Sequence, residues 1–180
     1  AAILALFEEV KPKVNLQGFA TTTTSPDIAL KKAMFERIQP YYAAKVDALF
    51  QDYKLLGASF LVKDPGDAGD LPLHQDWTVT DEAQYRTLTI WIPLEDVTAE
   101  NGALQMLPGS HRWMNLLRGP NLPIAITDMA DALRQDLVTL PMKAGEAILF
   151  DHSILHASTL NESDHPRVAI TYGLTLQETP

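Results

Sequence analysis

Apolar positions along the chain change their period near Gly57, and the predicted elements divide there into two kinds. Ahead of it the spacing is helical. Ser25-Pro26-Asp27 offers an N-cap, a proline at the first helical position and an acid in the first turn. Ile28, Leu30, Ala33, Met34 and Phe35 then follow until Pro40 stops the run. A second helix is predicted over 42–53, with Val46, Leu49 and Phe50 on one face. Beyond Gly57 the pattern becomes strand-like: 58–62, 86–94, 103–107, 137–140, 147–150, 154–158 and 167–176, with one helix over 127–135. Along 86–94, Thr87, Thr89 and Trp91 share one side and Leu88, Ile90 and Ile92 the other. Turn residues separate the strands, as in Asp64-Pro65-Gly66, Asn101-Gly102 and Pro108-Gly109. Many short strands behind a helical layer predict a mainly β chain with N-terminal helices, a jelly-roll or cupin-like barrel. We expect a single domain over 1–180, with a helical layer at 1–54 and the β-barrel core at 55–180.

Composition narrows what such a barrel can bind. A formal charge of −9 argues against a nucleic-acid or anionic-membrane partner. With no cysteine there is neither a disulfide framework nor a thiolate zinc site, so a metal must be held by His, Asp or Glu. No run is long and apolar enough to span a bilayer, and the expectation is a cytoplasmic protein. Because the chain opens on Ala1 rather than Met, the start of the native protein is expected to lie upstream.

The chemistry concentrates in two segments. His74-Gln75-Asp76 places an imidazole and a carboxylate two residues apart, on one side of an extended backbone. Far downstream, His156 shares a strand face with Ser158, and Arg167 opens the next strand. Two histidines and one acid on one face of an ion leave positions open, the arrangement of non-haem Fe(II) oxygenases. A guanidinium beside a hydroxyl suits a carboxylate, so a dicarboxylic keto acid could chelate the metal and pair with Arg167 and Ser158.

Three segments carry a family resemblance: LPLHQDW ending at Trp77, LTIWIPLEDVTAENGALQMLPGSHR at 88–112 and AGEAILFDHSILHASTLNESDHPRVAI at 144–170. Over roughly 58–176 the chain resembles the phytanoyl-CoA dioxygenase family, Fe(II)- and 2-oxoglutarate-dependent oxygenases on a double-stranded β-helix. The resemblance implies metal ligands His74, Asp76 and His156. It makes Arg167 and Ser158 the anchor for the distal carboxylate of 2-oxoglutarate, and Gln75 and Trp91 further residues of that pocket. It implies dioxygen and a small organic molecule as reactants, and Asp76 favours hydroxylation over halogenation, in which a small residue replaces the acid.

Other readings compete at several positions. His152, four residues before His156, could face the same side of a strand; the spacing to Ser158 and Arg167 favours His156 and makes His152 a neighbour of the ligands. Arg167 could pair with Asp151 or Asp164, and Trp91 could be packing. His111 is expected in a turn, His165 and Lys63 in solvent, and Trp77 and Trp113 in mouth loops. Those loops, about 64–73, 79–85 and 113–126, carry Asp67, Asp70, Asp81 and Glu82, acids that favour a neutral or cationic substrate. The same triad could serve a cupin-like zinc hydrolase or isomerase, or the barrel could bind a ligand without catalysis.

Overall fold

In the computed structural model, residues 2–14, 17–66 and 69–180 are described. Three helices come first, α1 (Ala2–Val10), α2 (Ile28–Ile38) and α3 (Ala43–Leu49), with a short strand β1 (Phe19–Thr21) between the first two. Then follow β2 (Tyr53–Lys63), β3 (Thr87–Pro93), β4 (Leu104–Met106), α4 (Ala130–Arg134), β5 (Val138–Leu140), β6 (Ile148–Asp151), β7 (His156–Ser158) and β8 (Arg167–Leu176). The strands form two antiparallel sheets, ordered β1-β2-β8-β3-β6 and β5-β4-β7. This is the jelly-roll architecture that the strand pattern predicts. No helix among the described residues is long and apolar enough to cross a membrane.

Strand alternation decides which residues reach the barrel interior. On β8, Val168, Ile170, Tyr172 and Leu174 join a core with Ile3, Leu6, Phe7 and Val10 of α1 and Met34 and Ile38 of α2. Phe60 and Val62 of β2 and Ile90 and Ile92 of β3 enter the same core. Each fully buried aliphatic or aromatic side chain there contributes about 1.5–3 kcal/mol. Tyr172 completes the layer by donating its hydroxyl to the Ile38 carbonyl at 2.8 Å. The intervening residues face inward: Trp91 and Ala169 pack with Phe150, Leu104 and Met106 in a second cluster. Lys63 and Arg167 are register partners across β2 and β8, so both sit on the inward side.

Several boundaries differ from the sequence expectation. The N-cap of α2 is Asp27, whose carboxylate accepts the Leu30 N–H at 3.0 Å; Ser25 instead accepts the Asp27 N–H at 3.2 Å. The second helix ends at Leu49, because Tyr53 pairs with Leu176 and begins β2. Here a cross-strand partner more than a hundred residues away overrides helical spacing. β1 was not foreseen; it joins the sheet edge through Phe19, Ala20 and Thr21 opposite Lys63, Val62 and Leu61.

Candidate metal centre

His74 lies outside the named strands but forms an isolated antiparallel bridge with His156. Their backbones exchange two hydrogen bonds, His74 N–H to His156 O at 3.0 Å and His156 N–H to His74 O at 2.8 Å. The imidazoles therefore lie together, ring centres 4.3 Å apart. Asp76, two residues on, brings Oδ1 to 3.8 Å from His156 Nε2. Donor atoms of His74, Asp76 and His156 all fall within 4.8 Å of one another.

Both rings are held in one tautomer. His74 Nδ1 lies 2.7 Å from the Pro72 carbonyl and His156 Nδ1 lies 3.0 Å from the Ile154 carbonyl. A carbonyl only accepts, so each Nδ1 carries the proton and each Nε2 keeps its lone pair for a metal. Burial, with His156 alongside, pushes His74 down to about 4, so the imidazole is neutral at neutral pH. Burial would raise Asp76, but the nearby His156, His152 and His74 and the Thr89 hydroxyl outweigh it and hold the carboxyl below its ordinary value. Thr89 donates to Asp76 Oδ2 at 2.8 Å.

His152 occupies a different place from a fourth ligand. The chain turns at 151–154, with Ile154 N–H on Asp151 O at 3.0 Å, so the period-two argument for His152 fails. Its Nδ1 faces the Trp77 carbonyl at 3.3 Å and its Nε2 lies 4.0 Å from Asp76 Oδ2. Gln75 points away from Asp76, and its amide donates to the Ser153 carbonyl.

A second cluster lies two residues further along the same strands. Ser158 follows His156 on β7, Trp91 follows Thr89 on β3, and Arg167 opens β8. The Arg167 guanidinium carbon sits 5.3 Å from the Trp91 ring centre. Arg167 is 1% exposed, and its Nε and Nη1 are buried without a hydrogen-bond partner among the described residues. Burial pushes it down to about 10, so it remains a cation at neutral pH. The rival acids are engaged elsewhere: Asp151 takes Arg86 at 3.0 Å and Asp164 takes His165 at 3.0 Å.

Lys63 corrects the sequence expectation. It is 0% exposed rather than solvated, and its Nζ donates to Ser158 Oγ at 2.8 Å. Burial and the Arg167 charge push the ammonium down to about 8. Gly102, at φ +93°, lets this lysine pass: a Cβ there would stand 2.8 Å from Lys63 Cδ and 3.5 Å from Arg167 Nε. A lysine before Asp-Pro-Gly gives no local sign of burial; the opposing Arg167 on β8 supplies it.

The mouth also differs in part from expectation. Trp77 and Trp113 are 48% and 53% exposed. Trp113 and His111 line a cavity of about 210 Å³ with Glu82 and Arg86. Glu82, however, pairs with Arg118 at 2.5 Å, and Asp81 accepts the Ala83 N–H and the Gln84 amide within its own loop. Glu82 Oε2 stays without a hydrogen-bond partner among the described residues, Asp81 is exposed, and Asp67 lies outside the described residues. His165 is exposed, as expected, and has Glu95 and Asp164 each at 3.0 Å.

The family model for phytanoyl-CoA dioxygenase matches residues 6–169. The chain belongs to the phytanoyl-CoA dioxygenase family. Phytanoyl-CoA dioxygenase domain-containing protein 1 of Danio rerio is 31% identical over 132 residues, covering 69% of this chain and 45% of that protein. Its Dictyostelium discoideum homologue is 34% identical over 125 residues, 65% of this chain and 44% of that protein. The chain thus spans about half the length of the curated relatives it matches. Among solved structures, the non-haem α-ketoglutarate-dependent carbocyclase SnoK from nogalamycin biosynthesis superposes with a TM-score of 0.69 at 20% identity, over 99% of this chain and 75% of that one. HygX from Streptomyces hygroscopicus, with nickel, 2-oxoglutarate and hygromycin B bound, gives 0.63 at 15% identity, over 97% of this chain and 78% of that one. At these identities the two structures share the fold.

Proposed function

We propose that this family member is an Fe(II)- and 2-oxoglutarate-dependent dioxygenase that hydroxylates a C–H bond of a small organic substrate. The observation carrying this reading is the pairing of a two-histidine, one-carboxylate donor set with a buried guanidinium whose Nε and Nη1 have no partner among the described residues. The donor set fits Fe(II) with open positions, and the orphaned Nε and Nη1 of Arg167 fit a carboxylate. When bound, iron and 2-oxoglutarate would supply dioxygen activation and hydroxylation, with succinate and CO2 released.

The chain's own residues divide the remaining work. His74, Asp76 and His156 would hold the metal, with both imidazoles fixed for Nε2 ligation and Asp76 oriented by Thr89. Arg167, Lys63 and Ser158 would hold the distal carboxylate, and Trp91 shields the guanidinium from water. Two facing strands each carry one residue for each end: Thr89 and Trp91 on β3, His156 and Ser158 on β7. Two residues of strand rise about 6.7 Å, which suits a five-carbon diacid chelated at its keto-acid end. A zinc hydrolase or an inert barrel gives no account of this buried cation pair. A cytoplasmic setting suits Fe(II) and a chain without cysteine.

Under anaerobic conditions, Fe(II) and 2-oxoglutarate added to the full chain should give the visible absorption of their complex, and Asp76→Ala should abolish it. Candidate small molecules are then scored by substrate-stimulated succinate release in air. No absorption with folded protein, or its survival in Asp76→Ala, defeats this reading.

A further inference from the structure

Asp76 is the metal-ligand candidate that no strand supports. His156 belongs to β7 and His74 bridges to it, but residues 75–79 form no strand. On one side the Asp76 N–H reaches the His152 carbonyl at 3.0 Å. On the other, where a ladder neighbour would stand, its carbonyl accepts the Nε–H of Arg118 at 2.7 Å. The same guanidinium donates from Nη1 to the Leu116 carbonyl at 2.7 Å and from Nη2 to Glu82 Oε1 at 2.5 Å. These side chains are 10% and 7% exposed. The backbones close as well: Thr78 N–H meets Arg118 O at 3.1 Å, and Arg118 N–H meets Thr78 Oγ1 at 3.1 Å.

We propose that Arg118, backed by Glu82, is a positioning residue for Asp76 and couples the 116–118 loop to the metal centre. The proposal rests on the metal-centre reading above and adds to it how the least supported ligand is held. A guanidinium presents its donors in a rigid plane, so three acceptors from three separate segments become fixed relative to one another. Lysine, a point charge on a flexible stem, cannot span them. Because both charges are buried, removing either leaves the other uncompensated, and the pair acts as a unit. With its N–H on His152, its carbonyl on Arg118 and Oδ2 on Thr89, Asp76 keeps Oδ1 directed toward His156 Nε2. Freed of the Arg118 guanidinium, Asp76 loses one of the two hydrogen bonds on its own peptide groups, and Oδ1 leaves that position. Coupling is reciprocal: metal at Asp76 stabilises the loop as the loop stabilises the ligand.

The test uses the full chain as wild type, Arg118→Lys and Glu82→Gln, each titrated with Co(II) alone and followed by its d–d absorption. Thermal midpoints of the metal-free proteins are measured in parallel. Arg118→Lys should raise the Co(II) Kd about 10–100-fold, as loss of a ligand-orienting contact does, and should alter the band shape. Glu82→Gln should move both in the same direction by less. In wild type, Co(II) should slow amide exchange at residues 116–118, and in Arg118→Lys it should not. Wild-type affinity and spectrum in Arg118→Lys, with only the midpoint lowered, would mean the arginine merely packs a loop. If Arg118→Lys does not fold, unchanged Co(II) binding in Glu82→Gln overturns the proposal equally. A wild-type chain that fails to bind Co(II), or binds it as well after His156→Ala, brings down the metal-centre reading itself. That outcome is distinguishable from normal wild-type binding that the Arg118 and Glu82 variants share.

Discussion

The two ends of the site are built by opposite means. At the anchor end, Lys63, Ser158 and Arg167 stand on β2, β7 and β8, inside continuous ladders, and are 0%, 3% and 1% exposed. At the metal end, His74 sits on an isolated bridge, Asp76 lies in irregular chain, and the Asp76 side chain is 29% exposed. The difference follows from what each end must do. Two buried cations that form no ion pair among the described residues are costly to hold, and a rigid sheet keeps them in place for the proposed carboxylate. The proposed metal end is less continuous: His156 stands on β7 and His74 bridges to it, but Asp76 is held by single contacts from Thr89, His152 and Arg118 instead of a ladder.

The largest effects should separate the ends completely. His156→Ala removes one of three donors and should abolish stoichiometric metal binding, measured by Co(II) titration. Arg167→Ala should leave metal affinity unchanged and weaken 2-oxoglutarate by roughly 2–5 kcal/mol, about 30-fold to several-thousandfold, in an anaerobic calorimetric titration. If both variants lost both ligands, the two ends would not be independent.

Lys63 sharpens the comparison through pH. Its folded value of about 8 lies below the ordinary 10.5, because of burial first and the Arg167 charge second. Between those values the unfolded chain binds a proton that the folded chain does not, so stability should rise with pH across the window. Co-substrate affinity should run the other way, falling by at most about tenfold per pH unit above 8 as the ammonium is lost. Denaturation and binding curves of Lys63→Met, measured from pH 7 to 10.5, should lack both slopes. Equal slopes in wild type and variant would assign the titration to another group.

The smallest effect is expected at Gly102. Alanine there must adopt φ +93° and push its Cβ to 2.8 Å from Lys63 Cδ. Gly102→Ala should cost about 1–3 kcal/mol in stability and weaken 2-oxoglutarate while sparing the metal. A loss of metal affinity instead would show strain crossing from one end to the other.

Much of this arrangement was legible in local pattern. The alternation of Thr87, Thr89 and Trp91 against Leu88, Ile90 and Ile92 correctly assigns the two faces of β3, since a strand's side-chain period is two. Spacing together with the family resemblance picks out His74, Asp76, His156, Ser158 and Arg167 as residues to be brought together, and the structure groups them in two adjoining clusters. Lys63 was read as solvated because its neighbours Asp64-Pro65-Gly66 signal a turn; its burial depends on Arg167, 104 residues away and opposite it on β8. Arg118 gives no signal in the sequence, and Glu82 reads only as a mouth-loop acid, because charge in loops usually means solvent. The helical spacing around Phe50 was equally misleading at Tyr53, which the β8 ladder claims.

The sequence by itself determined the chemistry available: metal donors without sulfur, most of the order of helices and strands, and the two faces of β3. These follow from residue type and from backbone periods that act over a few positions. Only the tertiary structure decided which inward side chains meet, that two of them are buried cations opposite each other on β2 and β8, and that an arginine from a distant loop takes the place of a strand neighbour beside Asp76. Register and loop closure join residues 42 to 104 positions apart, Asp76 with Arg118 and Lys63 with Arg167, and no local period carries that information.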